Sequence, residues 1–266
     1  MAKDPGGDAV NAILAVEGLN KRFGGLHAVK NVSFSLGPGS ITGVLGPNGA
    51  GKTTVFNLLT GFISADSGIV EFDGQRLDRL VPHQIVNRGL ARTFQLARPF
   101  LGMSVLENVE VACLAPRVRH EGKPRLRAQA LLDQVGLGDK SEFLVDVLPY
   151  GDLRRLEIAR ALATRPKLLL LDEPFAGLGS HEIKPLADLI RSLHRAERLT
   201  ILIIEHKLRE FMQLVAEIIA MDFGEVVAVG PPAVIVRHPR VVEAYIGNVE
   251  LDPSNLAGPE GRIGAA

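Results

Sequence analysis

Gly46-Pro47-Asn48-Gly49-Ala50-Gly51-Lys52-Thr53-Thr54 is the stretch on which the reading of this chain turns. It satisfies G-x-x-x-x-G-K-[ST], follows the aliphatic run Ile41 to Leu45 and opens a helical pattern. In that setting glycines let backbone N–H groups converge on an anion at a helix N-terminus, where the macrodipole adds about half a positive charge. From the chain's own composition such a match is expected roughly 0.006 times by chance, which sets aside an ordinary glycine turn. The loop predicts a phosphate cradle for a nucleotide. Lys52 reaches the β and γ phosphates in such a cradle, and the Thr53 hydroxyl takes a Mg2+ position.

A second signal lies downstream, where Leu168-Leu169-Leu170-Leu171 runs into Asp172-Glu173. An aliphatic strand ending in two carboxylates delivers charge to the edge of a parallel sheet where ligands bind. Beside a phosphate cradle, Asp172 suits a Mg2+ position held through water, and Glu173 suits the base that polarises a water attacking the γ phosphorus. The rival reading is a solvated strand end turned by Pro174.

The surrounding pattern predicts the fold class. Val32 to Leu36 and Val70 to Phe72 alternate with period two, so the opening third reads as strands with one wetted face. Ile41 to Leu45, Leu168 to Leu171 and Thr200 to Ile204 are mostly aliphatic and not cleanly alternating, as strands covered on both faces are. Ile183, Leu186, Ile190 and Leu193 follow helical spacing, with Ser180 placed to cap them and Pro185 a weak point near the start. Strand and helix alternating in this way imply an α/β, doubly wound parallel sheet of the P-loop NTPase class. From about residue 99 the alternation breaks into helices only, Val105 to Ala112 and Leu126 to Val135 among them, which predicts a helical insertion over about residues 99–160. The basic stretch Pro116 to Arg125 reads as a solvated surface.

Composition excludes several classes. Thirty Lys and Arg balance thirty Asp and Glu, so no basic field exists for nucleic acid. A single cysteine, Cys113, excludes an intramolecular disulfide framework and a cysteine-rich metal site, and suits a reducing cytosolic setting. The longest apolar runs, Ala12 to Val16 and Val111 to Ala115, are far shorter than the ~18 residues of a membrane span. Residues 1–12 and 251–266 are rich in Pro, Gly or Ala and predict disordered ends around a single domain over 13–250.

Four further segments fall in an order that resembles an ABC-type ATPase over roughly Ile13 to Gly247. Arg92-Thr93-Phe94-Gln95 looks like the Q-loop, Leu148-Pro149-Tyr150-Gly151-Asp152 sits where the LSGGQ signature belongs, Ala176-Gly177-Leu178-Gly179 resembles the D-loop, and Glu205-His206 resembles the switch histidine. Arg-Phe-Gly-Gly at 22–25, the Arg-Thr-Phe-Gln segment, Tyr-Gly-x-x-Arg-Arg-Leu-Glu-Ile-Ala-Arg at 150–160 and Ala-Tyr-Ile-Gly at 244–247 resemble one branch. That branch is the ATP-binding subunit of branched-chain amino acid importers, of the first of its two paralogous types.

The resemblance implies an antiparallel β subdomain, an inserted helical subdomain and the cofactors ATP and Mg2+. It implies that Gln95 contacts Mg2+ or the attacking water, that His206 hydrogen-bonds the γ phosphate, and that Phe23 stacks on adenine. From the residues alone Gln95 and His206 are equally read as solvated surface groups, and Phe23 as a core aromatic beside Val16 and Leu19. Tyr150 and Gly151 would open a helix that meets the nucleotide of a second, identical or paralogous ATP-binding subunit. Here Pro149, Tyr150, Asp152 and Gly179 depart from the family pattern, and Asp152 would set a negative charge against that nucleotide. The further implied partners are integral membrane permease subunits and, indirectly, a solute-binding protein, which places the chain in the cytoplasm on the inner face of the membrane. The alternatives are a mechanical ATPase of the same fold not coupled to transport, a small-molecule kinase, and an importer of another solute.

Overall fold

The structure, a computed structural model, describes residues 12–246. The expectations for residues 1–11 and 247–266, including the end of Ala-Tyr-Ile-Gly, lie outside the described residues.

Two strands, β1 (Leu14–Phe23) and β2 (Leu26–Leu36), pair antiparallel and bury Leu14, Val16, Leu19, Val29, Val32 and Leu36 on one face. β3 (Ile41–Leu45) is buried at every residue and leads through the glycine loop into α1 (Lys52–Leu59). β4 (Ser67–Phe72) and the short β5 (Gln75–Arg76) complete a four-stranded antiparallel sheet in the order β2-β1-β4-β5. After α2 (Pro82–Arg88) and β6 (Leu90–Arg92) come three helices, α3 (Val105–Cys113), α4 (Pro124–Val135) and α5 (Tyr150–Leu162). α3 starts sharply because the Ser104 hydroxyl accepts the Glu107 N–H while the Glu107 carboxylate accepts the Ser104 N–H, satisfying two donors at the helix start. The chain then alternates through β7 (Leu168–Asp172), α6 (Ser180–Glu197), β8 (Thr200–Ile204), α7 (Leu208–Leu214), β9 (Glu217–Asp222) and β10 (Glu225–Gly230), and ends with α8 (Pro232–Ile235) and α9 (Pro239–Ile246).

The second sheet has six strands in the order β10-β9-β3-β8-β7-β6, all parallel except β10. Its central strands are covered on both faces, which is why their sequences do not alternate. Leu168 and Leu170 of β7 join a core shared with α1 and the antiparallel sheet, whereas Leu169 and Leu171 join a core shared with α3 to α7. Gly43 is needed in β3 because any side chain there would strike the ring of Phe211 from α7. Among the described residues no helix is long and apolar enough to cross a membrane.

Two details correct the sequence reading. Gly179, not Ser180, occupies the N-cap of α6, and the Glu182 carboxylate accepts the Gly179 N–H at 2.9 Å. Pro185 lies inside α6 without ending it. Its lost hydrogen bond is close to the helix start, and the burial of Ile183, Leu186, Ala187, Ile190 and Leu193 outweighs it. α5 begins at Tyr150 with Pro149 as its cap. β6, β9 and β10 were not legible as strands: the first has three residues and the last two follow one another across a two-residue turn.

Candidate active site

β3 aims the glycine loop at the edge of the six-stranded sheet. Gly46 leaves no room for a side chain against the Met221 carbonyl, and Gly51 combines φ 97° with an Ala28 carbonyl oxygen 2.5 Å from where a Cβ would be. Both positions therefore demand glycine. The turn between β9 and β10 braces the loop from outside: Gly224 N–H donates to the Ala50 carbonyl at 3.1 Å, and Lys30 N–H donates to the Gly224 carbonyl at 2.7 Å. Lys52 Nζ donates to the carbonyls of Gly46 at 2.7 Å and Pro47 at 2.9 Å. Burial lowers the Lys52 pKa from its ordinary value, and the nearby carboxylates of Glu173 and Asp172 oppose that shift. The ammonium is thus held on neutral oxygens with negative charge close by, ready to exchange its carbonyl partners for a stronger anionic one.

A cavity of about 350 Å³ opens above the loop, lined by Asn48, Gly49, Ala50, Gly51, Lys52, Thr53 and Thr54 together with Phe23, Glu173, His206 and Phe223. Phe23 is 48 % exposed at its rim, at the end of β1, and is not a core aromatic. Gly46 and Pro47 are not among the cavity's lining residues, and touch the site through the carbonyls that receive Lys52.

β7 delivers the two carboxylates into different surroundings. Asp172, 3 % exposed, receives Arg92 Nη2 on Oδ2 at 2.6 Å. Glu173 steps out of the strand with φ 48°, a left-handed conformation uncommon for a side-chain-bearing residue, and its N–H donates to the Ile204 carbonyl at 2.9 Å. That twist turns its carboxylate into the cavity, where Oε2 accepts Gln95 Nε2 at 3.0 Å and Oε1 lies 2.9 Å from His206 Nε2. Gln95, Glu173 and His206, separated by up to 111 residues in sequence, thus meet beside Lys52 and Thr53.

Tyr150 and Gly151 are elsewhere. They open α5, outside the residues lining this cavity. The Tyr150 hydroxyl accepts Arg154 Nη2 at 2.6 Å, and its ring packs on Gly177. Asp152 is not the lone charge that the sequence suggests, because Lys140 Nζ is ion-paired with it. Pairing of this kind offsets much of the repulsion a neighbouring anion would feel.

Sequence reasoning gave no role to four organising side chains. Arg154 donates to the carbonyls of Phe94 at 2.9 Å and Gln95 at 2.5 Å, tying α5 to the Gln95 segment, while Glu157 accepts the Phe94 N–H at 2.7 Å. Glu205, 1 % exposed, accepts the N–H groups of Phe175 at 2.5 Å, His206 at 2.9 Å and Lys207 at 3.1 Å, joining the segment after Glu173 to the His206 turn. Burial pushes the carboxyls of Glu157 and Glu205 up from their ordinary pKa. Arg92 is the fourth. The only available signal was a charge directly next to an aliphatic strand, which composition does not distinguish from a surface residue.

Residues 29–176 match the ABC transporter family, and residues 225–250 match the family described as branched-chain amino acid ATP-binding cassette transporter. The chain is 42 % identical over 249 residues to the high-affinity branched-chain amino acid transport ATP-binding protein LivG of Escherichia coli K12, covering 88 % of this chain and 98 % of that one. It is 39 % identical over 249 residues to BraF of Pseudomonas aeruginosa, which bears the same description, with the same coverage. The ADP conformation of MJ1267, an ATP-binding cassette of an ABC transporter, superposes with a TM-score of 0.81 at 32 % identity over 89 % of this chain and 99 % of that one. A nucleotide-free ATP-binding cassette from an ABC transporter does so with a TM-score of 0.81 at 31 % identity, over 89 % and 100 %. With residues 29–176 matched by the family and relatives at 42 % and 39 % identity covered over 98 % of their length, the chain belongs to the ABC transporter family as one of its ATP-binding cassettes, the ATPase component.

Proposed function

We propose that this chain binds ATP with Mg2+ in the cavity above the glycine loop and hydrolyses it to drive an importer of branched-chain or related amino acids. The observation that carries the reading is the meeting of Gln95, Glu173 and His206 beside Lys52. Lys52 and the loop from Gly46 to Thr54, through the N–H groups of its residues other than Pro47, bind the phosphates, and Phe23 stacks on the base. Glu173 takes the proton of the attacking water. Gln95 orients that water, and His206 holds Glu173 on one side and the γ phosphate on the other.

The residues present fit Mg2+. Among the described residues no cluster of three or more carboxylate, histidine or cysteine groups forms a closed metal cage. What the chain offers is the Thr53 hydroxyl, the Asp172 carboxylate and the Gln95 amide oxygen, hard donors that leave positions for water and phosphate oxygens, as Mg2+ prefers. Bound there, the cation would neutralise charge on the β and γ phosphates.

α5 contributes Tyr150 and Gly151 to the nucleotide of a second ATP-binding subunit, so hydrolysis requires a dimer. Permease subunits hold that dimer at the cytoplasmic face of the membrane, and a solute-binding protein supplies them. The solute class is supported by the match at residues 225–250 and by the descriptions of LivG and BraF. The test measures orthophosphate release from ATP and valine uptake in cells. Both should depend on Glu173. Orthophosphate release without any effect on amino acid uptake would retain the ATPase and reject the importer.

A further inference from the structure

Arg92 closes β6 and is paired with Asp172, one of the proposed cation ligands. Its side chain is 5 % exposed. Nη2 reaches Asp172 Oδ2 at 2.6 Å, and Nη1 reaches Asn57 Oδ1 at 2.7 Å and Thr60 Oγ1 at 3.2 Å. The rings of Phe56, Phe62 and Phe94 stand 5.6, 5.9 and 5.1 Å from the guanidinium carbon, so the fork is held on apolar faces as well as by hydrogen bonds. Asn57 lies four residues after Thr53 on α1, hence on the same face of that helix. Thr53 and Asp172 come from separate elements, α1 and β7, and the guanidinium bridges from one to the other.

We propose that Arg92 is a positioning residue for the divalent cation: it fixes the Asp172 carboxylate relative to α1, and so sets the separation between the Asp172 and Thr53 oxygens. The inference rests on the proposed reading of those two residues as Mg2+ ligands. A second positive charge near a cation also repels it. The repulsion is outweighed because Asp172 is buried, and a carboxylate stripped of its partner there is an uncompensated and misplaced charge. A lysine cannot replace this arginine, because one ammonium cannot reach Asp172 and Asn57 in two fixed directions at once.

The test uses the full chain with ADP, and Mn2+ as the probe, read by electron paramagnetic resonance. For Arg92→Met, ADP affinity in EDTA should match the parent, since the glycine loop is untouched, while Mn2+ affinity in the ADP complex should fall by ~10–100-fold, the usual loss when a group orienting a metal ligand is removed. Arg92→Lys should lie between Met and the parent. Asn57→Leu, which leaves the Arg92–Asp172 pair in place, should lose Mn2+ affinity in the same direction by less, and it decides the matter if Arg92→Met does not fold. Equal losses with and without the metal would show a structural role only and overturn the inference, as would unchanged or tighter Mn2+ binding. Failure of the parent to bind ADP in EDTA would overturn the nucleotide reading and this inference with it; ADP bound by all variants with one Mn2+ affinity would overturn this inference alone.

Discussion

Around Lys52 a loop, the Glu173 carboxylate and an imidazole line one cavity, with the Gln95 amide bonded to that carboxylate and Asp172 buried at the preceding position, whereas at the start of α5 the chain supplies a helix N-terminus, an aromatic hydroxyl and a carboxylate already paired with Lys140. In the proposed reading the first region holds the phosphate-binding, cation-binding and proton-accepting groups; the second holds groups that lie outside that cavity. Both are stiffened in the same manner, by a buried glutamate accepting backbone N–H groups, Glu205 beside His206 and Glu157 beside Phe94. Arg154 joins the two regions through the carbonyl of Gln95. In the proposed reading such a chain carries most of one site and contributes the start of α5 to that of a second subunit.

The largest effect should come from Glu173→Gln, which keeps the shape and removes the proton acceptor. Orthophosphate release should fall by ~10²–10⁴-fold with ATP still bound. Turnover at the parent rate would move the base away from the Gln95–Glu173–His206 cluster. Lys52→Ala should weaken ATP binding by ~10²-fold or more, the loss of two charged hydrogen bonds at ~1.5–3 kcal/mol each, with the fold retained. Calorimetry showing parent affinity would break the assignment of the first region as the phosphate cradle.

The second region predicts smaller changes. Lys140→Ala uncovers the Asp152 charge, so ATP-dependent dimerisation of a Glu173→Gln background should weaken, and more at low salt, where screening is least. Asp152→Gln should alter it less than Lys140→Ala, because the charge it removes is already paired. Sedimentation showing no response to either variant would place this helix start away from a partner's phosphate.

The smallest effect concerns pH. Glu205 and Glu157 have folded-state pKa values raised by burial above the ordinary value of 4.5. Between that value and the raised one, the folded state binds more protons than the unfolded state, so stability falls as pH rises through the window. Glu205→Gln and Glu157→Gln should each flatten that decline, and the gap between parent and variant should narrow toward lower pH. Thermal unfolding followed from pH 4 to 7 checks this, and an unchanged slope would mean both glutamates stay ionised through hydrogen bonding alone.

Local sequence determined whatever depends on neighbours along the chain. The glycine loop is legible because its geometry needs glycines at fixed spacing ahead of a helix, and the buried strands because both faces of Leu168 to Leu171 and Thr200 to Ile204 meet apolar layers. The carboxylates Asp172 and Glu173 are legible because a strand end is where such a sheet binds its ligand. Tertiary structure decided the rest. Only the fold brings Gln95 and His206 to opposite oxygens of Glu173, sets Lys140 on Asp152, and threads Arg92 between Asn57 and Asp172. The physical reason is that hydrogen bonds and ion pairs of this range depend on separations of a few ångströms between residues tens of positions apart, which a hydrophobic pattern does not encode, since it specifies which face is buried and not what lies across from it.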